Sequence, residues 1–171
     1  MNVHRLRNRV FTQLFSYFPG LTTRWLKQQQ IEDYGIPPWT PLRKPISACT
    51  VALVTTAGVH LKTDEPFAMV DKEGDPSFRV LPRETALEQL CITHDYYDHR
   101  DADKDLNIVL PLTRLDELAH EGVIGGVAPF HYSFMGHIDG RHIQRLLTVT
   151  APEVARRLKR EKVDAVVLTP A

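Results

Sequence analysis

The 171 residues carry 21 basic and 21 acidic side chains, a formal net charge of zero, and 43% apolar residues. That length suits one domain with its own core, and the balanced charge gives no overall pull toward nucleic acid or anionic lipid. Two distant cysteines, Cys49 and Cys91, argue against a disulfide framework, and no apolar run reaches membrane-spanning length, so a cytoplasmic protein without a nucleic-acid or membrane partner is expected.

Residues 1–33 read as two helices divided by the Pro19-Gly20 breaker. Arg5, Arg7, Arg9, Arg24 and Lys27 precede any acid, a bias shared with transit peptides. Val10, Phe11, Leu14, Phe15 and Phe18 nevertheless recur at helical spacing, so the reading adopted is a helix packed on the main domain. Three prolines in Gly35-Ile36-Pro37-Pro38-Trp39-Thr40-Pro41 then mark a linker. The expected division is a helical extension with its Pro-rich linker over 1–45, and an α/β domain over 46–171.

Within that domain, residues 49–56 form an apolar, β-branched run ending at Ala57-Gly58, the pattern of a strand buried on both faces. Phe78-Arg79-Val80-Leu81 alternates and predicts an edge strand. Thr113 is the expected cap of a helix carrying Leu115, Leu118 and Ala119, stopped by Gly122. Gly125-Gly126-Val127-Ala128 predicts another strand. Thr150 and Glu153 have capping-box spacing before a helix that presents Val154, Ala155 and Leu158 inward. Residues 163–168 follow as a second buried strand. Strands alternating with helices predict a Rossmann-like or flavodoxin-like α/β layer with parallel strands.

Two polar clusters stand out. Residues 93–105 hold His94 and His99 among Asp95, Asp98, Asp101, Asp103 and Asp105, with Tyr96 and Tyr97. Carboxylates beside imidazoles fix the tautomer and tune a general acid or base near neutral pH. The second cluster, residues 128–137, holds His131 and His137 among aromatics. His60, just beyond the first strand, is a candidate to face the carboxyl ends where α/β sheets bind ligands, beside the plainer reading of a solvated histidine in a strand-to-loop turn. A metal alternative comes from His94-x-Tyr96-x-Asp98-His99, which has the metallo-β-lactamase spacing with Tyr in place of one His. Tyr is a poor zinc ligand near neutral pH. A hydrolase-like metal held by His94, Asp98 and His99 therefore stays as the alternative, beside a non-catalytic accessory subunit.

Taken in order, Val54-Thr55-Thr56-Ala57-Gly58-Val59-His60, Glu65-Pro66-Phe67 and Thr93-His94-Asp95-Tyr96-Tyr97-Asp98-His99 resemble the selenoprotein B family of glycine, sarcosine and betaine reductases and its D-proline reductase branch. The likeness continues through residues 103–107, 122–125 and 128–136 to Val163-Asp164-Ala165-Val166-Val167-Leu168-Thr169-Pro170. It implies reductive cleavage of a carbon–nitrogen bond in an amino acid or derivative. It also implies a selenocysteine, or a cysteine, just after the strand that ends in Leu168-Thr169-Pro170. Selenocysteine is encoded by UGA, ordinarily a stop codon, so the expectation is that Ala171 marks an interruption there and that the chain as written is inactive. His60, His94, Asp95, Asp98, His99 and His131 are the expected catalytic residues, with Thr56, Gly58, Tyr96 and His137 as substrate contacts. No cofactor is expected in this chain; a pyruvoyl group belongs to a partner reductase subunit, and a thiol reductant restores the reactive residue.

Overall fold

The computed structural model describes residues 3–18, Gly20, Thr23, Gly35 and 40–171. The second N-terminal helix and most of the proline-rich linker fall outside the described residues. Helix α1 spans Val3–Tyr17. Strand β1, Thr50–Thr55, is the centre of the sheet. One edge of β1 pairs in parallel with β7, Ala165–Thr169, over its whole length. The opposite edge is shared by two short parallel partners, β5 (Gly126–Val127) at its start and β6 (Phe130–Phe134) at its end. Strand β3, Phe78–Pro82, runs antiparallel to β6 and closes that side as an edge. A small antiparallel pair, β2 (Val59–Leu61) with β4 (Leu90–Ile92), continues from the end of β1.

Alternation along β1 builds a core on each face of the sheet. Val51 and Leu53 join Leu110, Leu112 and Leu115 under helix α2, Leu112–His120. Val54 turns to the other face, where Tyr132, Phe134 and Val154 pack beneath α4, Ala151–Arg160. Between these lies α3, Arg141–Arg145, which runs through a π-helical turn into α4. The result is an α/β layered fold with a helical N-terminus.

Several local expectations are corrected. The helix near Thr113 starts at Leu112, with Pro111 rather than Thr113 at the cap position, and the Asn107 side chain accepts the Thr113 N–H at 3.1 Å. Thr150 is no cap: it is itself helical, because the chain is already coiled through the π turn, and Glu153 pairs with Arg156 and Arg157 instead. Ala155 is exposed, although Val154 is buried as expected. Strand β7 exists where predicted, yet it is not buried. It is an edge strand paired on one side, and Leu168 is 71% exposed. Helix α1 also reverses its expected orientation. Leu6, Val10, Phe11, Leu14 and Phe18 lie exposed, while Arg5 and Thr12 reach the domain. A carboxylate buried without a cation costs several kcal/mol, and Arg5 meets that need at Asp95. Among the described residues, no helix is long and apolar enough to cross a membrane.

Candidate functional site

The carboxyl ends of β1, β6 and β7 meet where parallel sheets bind ligands, and the turn after β1 delivers the His-Asp segment to that place. Gly58 makes the connection. Its φ of +69° bends the chain; its N–H bonds Phe134 O at the end of β6, and its carbonyl accepts the Thr93 N–H. A Cβ there would lie 2.5 Å from Thr93 O, so the close approach that marks Gly58 in the sequence is made to Thr93. His94 is thereby placed beside the strand ends.

His94 is 4% exposed. Its Nδ1 accepts the Tyr96 backbone N–H at 3.0 Å, which leaves the proton on Nε2. Nε2 is buried and finds no hydrogen-bond partner among the described residues. Burial, then the nearby His99 and His137, push the His94 pKa down to about 4, so the ring is a neutral N–H donor at pH 7. A Cβ added to Gly136 would lie 2.9 Å from Thr56 O, 3.2 Å from Ala171 O and 3.3 Å from His94 Nε2. Three groups, two backbone carbonyls and one side chain, therefore surround one point, and Gly136 itself is exposed. Thr56 Oγ1 accepts the Ala171 N–H at 3.1 Å and so ties the ends of β1 and β7 together.

A polar cavity of about 200 Å³ adjoins this point, lined by Thr12, Gln13, His94, Asp95, Asp98 and Arg100 among others. Its carboxylates, Arg100 and His99 are partnered internally. Asp98 holds Arg100 through both oxygens, His99 Nδ1 meets Asp103 Oδ2 at 2.8 Å, and Asp95 holds Arg5. Tyr96 stacks on His137 with ring centroids 4.0 Å apart, and His137 Nε2–H donates to Lys72 O. Both rings thus sit beside His94, and burial raises the Tyr96 hydroxyl above its ordinary pKa.

Two of the expected catalytic histidines lie elsewhere. His131 is wholly buried within the sheet, and its Nδ1 accepts the Leu53 N–H at 2.9 Å. The imidazole fills the gap in the β1 ladder between β5 and β6. Burial pushes its pKa down to about 4 as well. His60 sits on β2, where Nδ1–H donates to Leu61 O and Nε2 accepts from Thr93 Oγ1 at 2.8 Å. It braces the residue before His94. Cys91 Sγ lies 3.5 Å from His60 Nε2, and burial raises the thiol's pKa, which disfavours a thiolate.

The metal alternative meets a different geometry. Among the described residues, the three-residue group with ligating atoms within 4.8 Å of one another is Asp71, Glu73 and His142, not His94, Asp98 and His99. Asp98 is turned to Arg100, His99 to Asp103, and His94 Nδ1 to the backbone. At the other group, Arg141 pairs with both Asp71 and Glu73 and so already occupies oxygens a cation would need. Arg5, Thr12, Gln13 and Gly136 were not singled out from the sequence as parts of the site. Gly136 follows the His131 cluster and its isolated glycine was the available signal; the α1 residues gave none.

The layered α/β fold gathers a buried neutral imidazole, His94, at the carboxyl ends of its parallel strands. The comparison of sequences goes further. Residues 30–171 match the model of the glycine/sarcosine/betaine reductase selenoprotein B family, and the chain belongs to that family. It is 44% identical over 133 residues to the D-proline reductase subunit gamma of Acetoanaerobium sticklandii, covering 78% of this chain and 53% of that protein. It is 34% identical over 137 residues to the glycine reductase complex component B subunit gamma of Symbiobacterium thermophilum, covering 78% and 31%. A betaine reductase complex component B subunit beta of Peptoclostridium acidaminophilum is 30% identical over 131 residues, covering 74% and 29%. The chain thus spans about half or less of the length of these relatives. No solved structure shows a significant match.

Proposed function

We propose that this chain is the selenoprotein-B-type subunit of a reductase complex, cleaving a carbon–nitrogen bond of a small amino acid or derivative. The reactive group in this reading is a selenocysteine or cysteine that follows β7, next to Ala171. The observation that supports it is the His94 Nε2–H: buried, neutral, and crowding the same point beside Gly136 as the Ala171 carbonyl, from which this reading continues the chain. A selenolate or thiolate is the nucleophilic form, and a fixed N–H donor stabilises it without adding a second charge. The Asp98 carboxylate and the Arg100 guanidinium on the cavity wall suit a ligand that carries both signs, and about 200 Å³ suits one of few atoms.

Reductive cleavage consumes two electrons and two protons: the carbon–nitrogen bond is replaced by C–H and N–H, and a dithiol is oxidised to a disulfide. A thiol reductant therefore belongs to the cycle. The pyruvoyl group associated with the glycine and proline enzymes belongs to a partner subunit in this reading, and would supply a carbonyl for the substrate amine. This chain's own residues position the substrate and hold the reactive sulfur or selenium. The relatives' names as complex subunits support such a partner.

The test is peptide mass spectrometry of the natively produced protein, combined with alkylation. A selenocysteine or cysteine at the position that follows Ala171, whose alkylation abolishes substrate reduction, is the expected result. Any other residue there, or reduction that survives complete alkylation, overturns the reading.

A further inference from the structure

Helix α1 lies before residue 30, where the family match begins, yet it forms part of the wall around His94. We propose that α1 is a latch on this site: Thr12 and Gln13 close one side of the cavity, and access to His94 requires the Arg5–Asp95 ion pair to open. Three observations carry this.

The first is where α1 is attached. Arg5 bonds both carboxylate oxygens of Asp95, the residue next to His94, with Nη2 to Oδ1 at 3.3 Å. Thr12 Oγ1 reaches Asp95 O at 3.5 Å, and Arg100 reaches the Tyr17 hydroxyl at 3.5 Å while lying over its ring. Every one of these contacts falls on the segment that lines the cavity.

The second is what the attachments are made of. Leu6, Val10 and Leu14 are exposed, so these side chains do not hold α1 in the core. Polar contacts at a partly exposed surface exchange readily for water, whereas apolar burial does not. The Arg5 side chain is 37% exposed, so water can take its place.

The third is burial. The cavity of about 200 Å³ is partly open to solvent, yet His94 in its wall is 4% exposed, so a reagent in the cavity reaches the ring only after an opening step. Helix α1 contributes Thr12 and Gln13 to that same wall.

The experiment reads access to a ring nitrogen and is therefore independent of the reductase reading. Diethyl pyrocarbonate acylates neutral imidazole, and mass spectrometry follows each histidine separately in the full chain. Exposed His120 reports the reagent, and wholly buried His131 reports global unfolding. Arg5→Ala should speed His94 acylation about tenfold, the scale of one lost charge-assisted hydrogen bond, with His131 unchanged. Arg5→Lys should fall between, and Arg114→Ala on α2 should match the wild type. An unchanged His94 rate in Arg5→Ala overturns the latch. Should Arg5→Ala also expose His131, salt titration of the wild type decides. Near about 1 M salt, screening shortens to roughly 3 Å, and the His94 rate should rise severalfold; a flat response overturns the proposal.

Discussion

His94 and His131 meet the same residue-scale problem, a ring taken out of water, and solve half of it in the same way. In each, Nδ1 accepts a backbone N–H, from Tyr96 and from Leu53 respectively, and Nε2 keeps the proton. They differ in what Nε2 faces: His94 adjoins the strand ends, whereas His131 lies inside the sheet. Asn in place of His94 can still accept the Tyr96 N–H through its short amide but removes the Nε2 donor. His94→Asn should therefore fold within about 1 kcal/mol of the wild type, while, on the proposed reductase function, substrate reduction falls roughly 10²–10³-fold. Parallel urea melts and turnover assays separate the two effects. His131→Ala should do the reverse. It orphans the Leu53 N–H and leaves a cavity, lowering stability by about 3 kcal/mol in urea melts. The sequence displays both histidines equally, beside aromatics and glycines. Which one faces the site depends on strand register, and the residues alone do not reveal that the β1 ladder has a gap at Leu53.

At the scale of elements, the glycines that end and join strands carry different burdens. Gly58 combines a positive φ with a Cβ position 2.5 Å from Thr93 O, and both the bend and the Thr93 contact depend on it. Gly58→Ala should cost several kcal/mol, seen as loss of the cooperative unfolding transition or a large fall in its midpoint. Gly136 has no such backbone requirement, and its Cβ would meet Thr56 O, Ala171 O and His94 Nε2 instead. Gly136→Ala should cost only about 1–2 kcal/mol, yet it should displace the His94 ring and shift its imidazole NMR signals. A fully folded Gly136→Ala protein with unmoved His94 resonances would contradict the crowding described here. Strand and helix positions were legible because apolar β-branched runs and helical spacing are local properties. Burial was less so. Residues 165–169 have the composition of a core strand, but an edge position leaves Leu168 exposed. The polar edge of α1 was chosen by one buried carboxylate some ninety residues away.

For the whole molecule, the two buried imidazoles set an acid limit on stability. A free imidazole titrates near 6.5, and both His94 and His131 are held down at about 4 by burial. The unfolded chain therefore binds more protons than the folded one between these values, so stability is complete above about pH 6.5. It declines as pH falls toward about 4, where protonation of the folded rings ends the loss. A drop from about 6.5 to about 4 corresponds to roughly 3 kcal/mol for each ring. Two such losses are a large share of the 5–15 kcal/mol that typically holds a domain together. The carboxylates held low by their partners, Asp71 beside His142 and Arg141 and Asp164 beside Lys44, act in a separate and more acid window. Urea midpoints followed by circular dichroism should thus be level between pH 7 and 8 and fall steeply between 6.5 and 4. His94→Asn removes one titrating ring without removing the Tyr96 contact, so it should recover about half of that fall. Midpoints that stay level through this window would show that water reaches both rings in the folded protein.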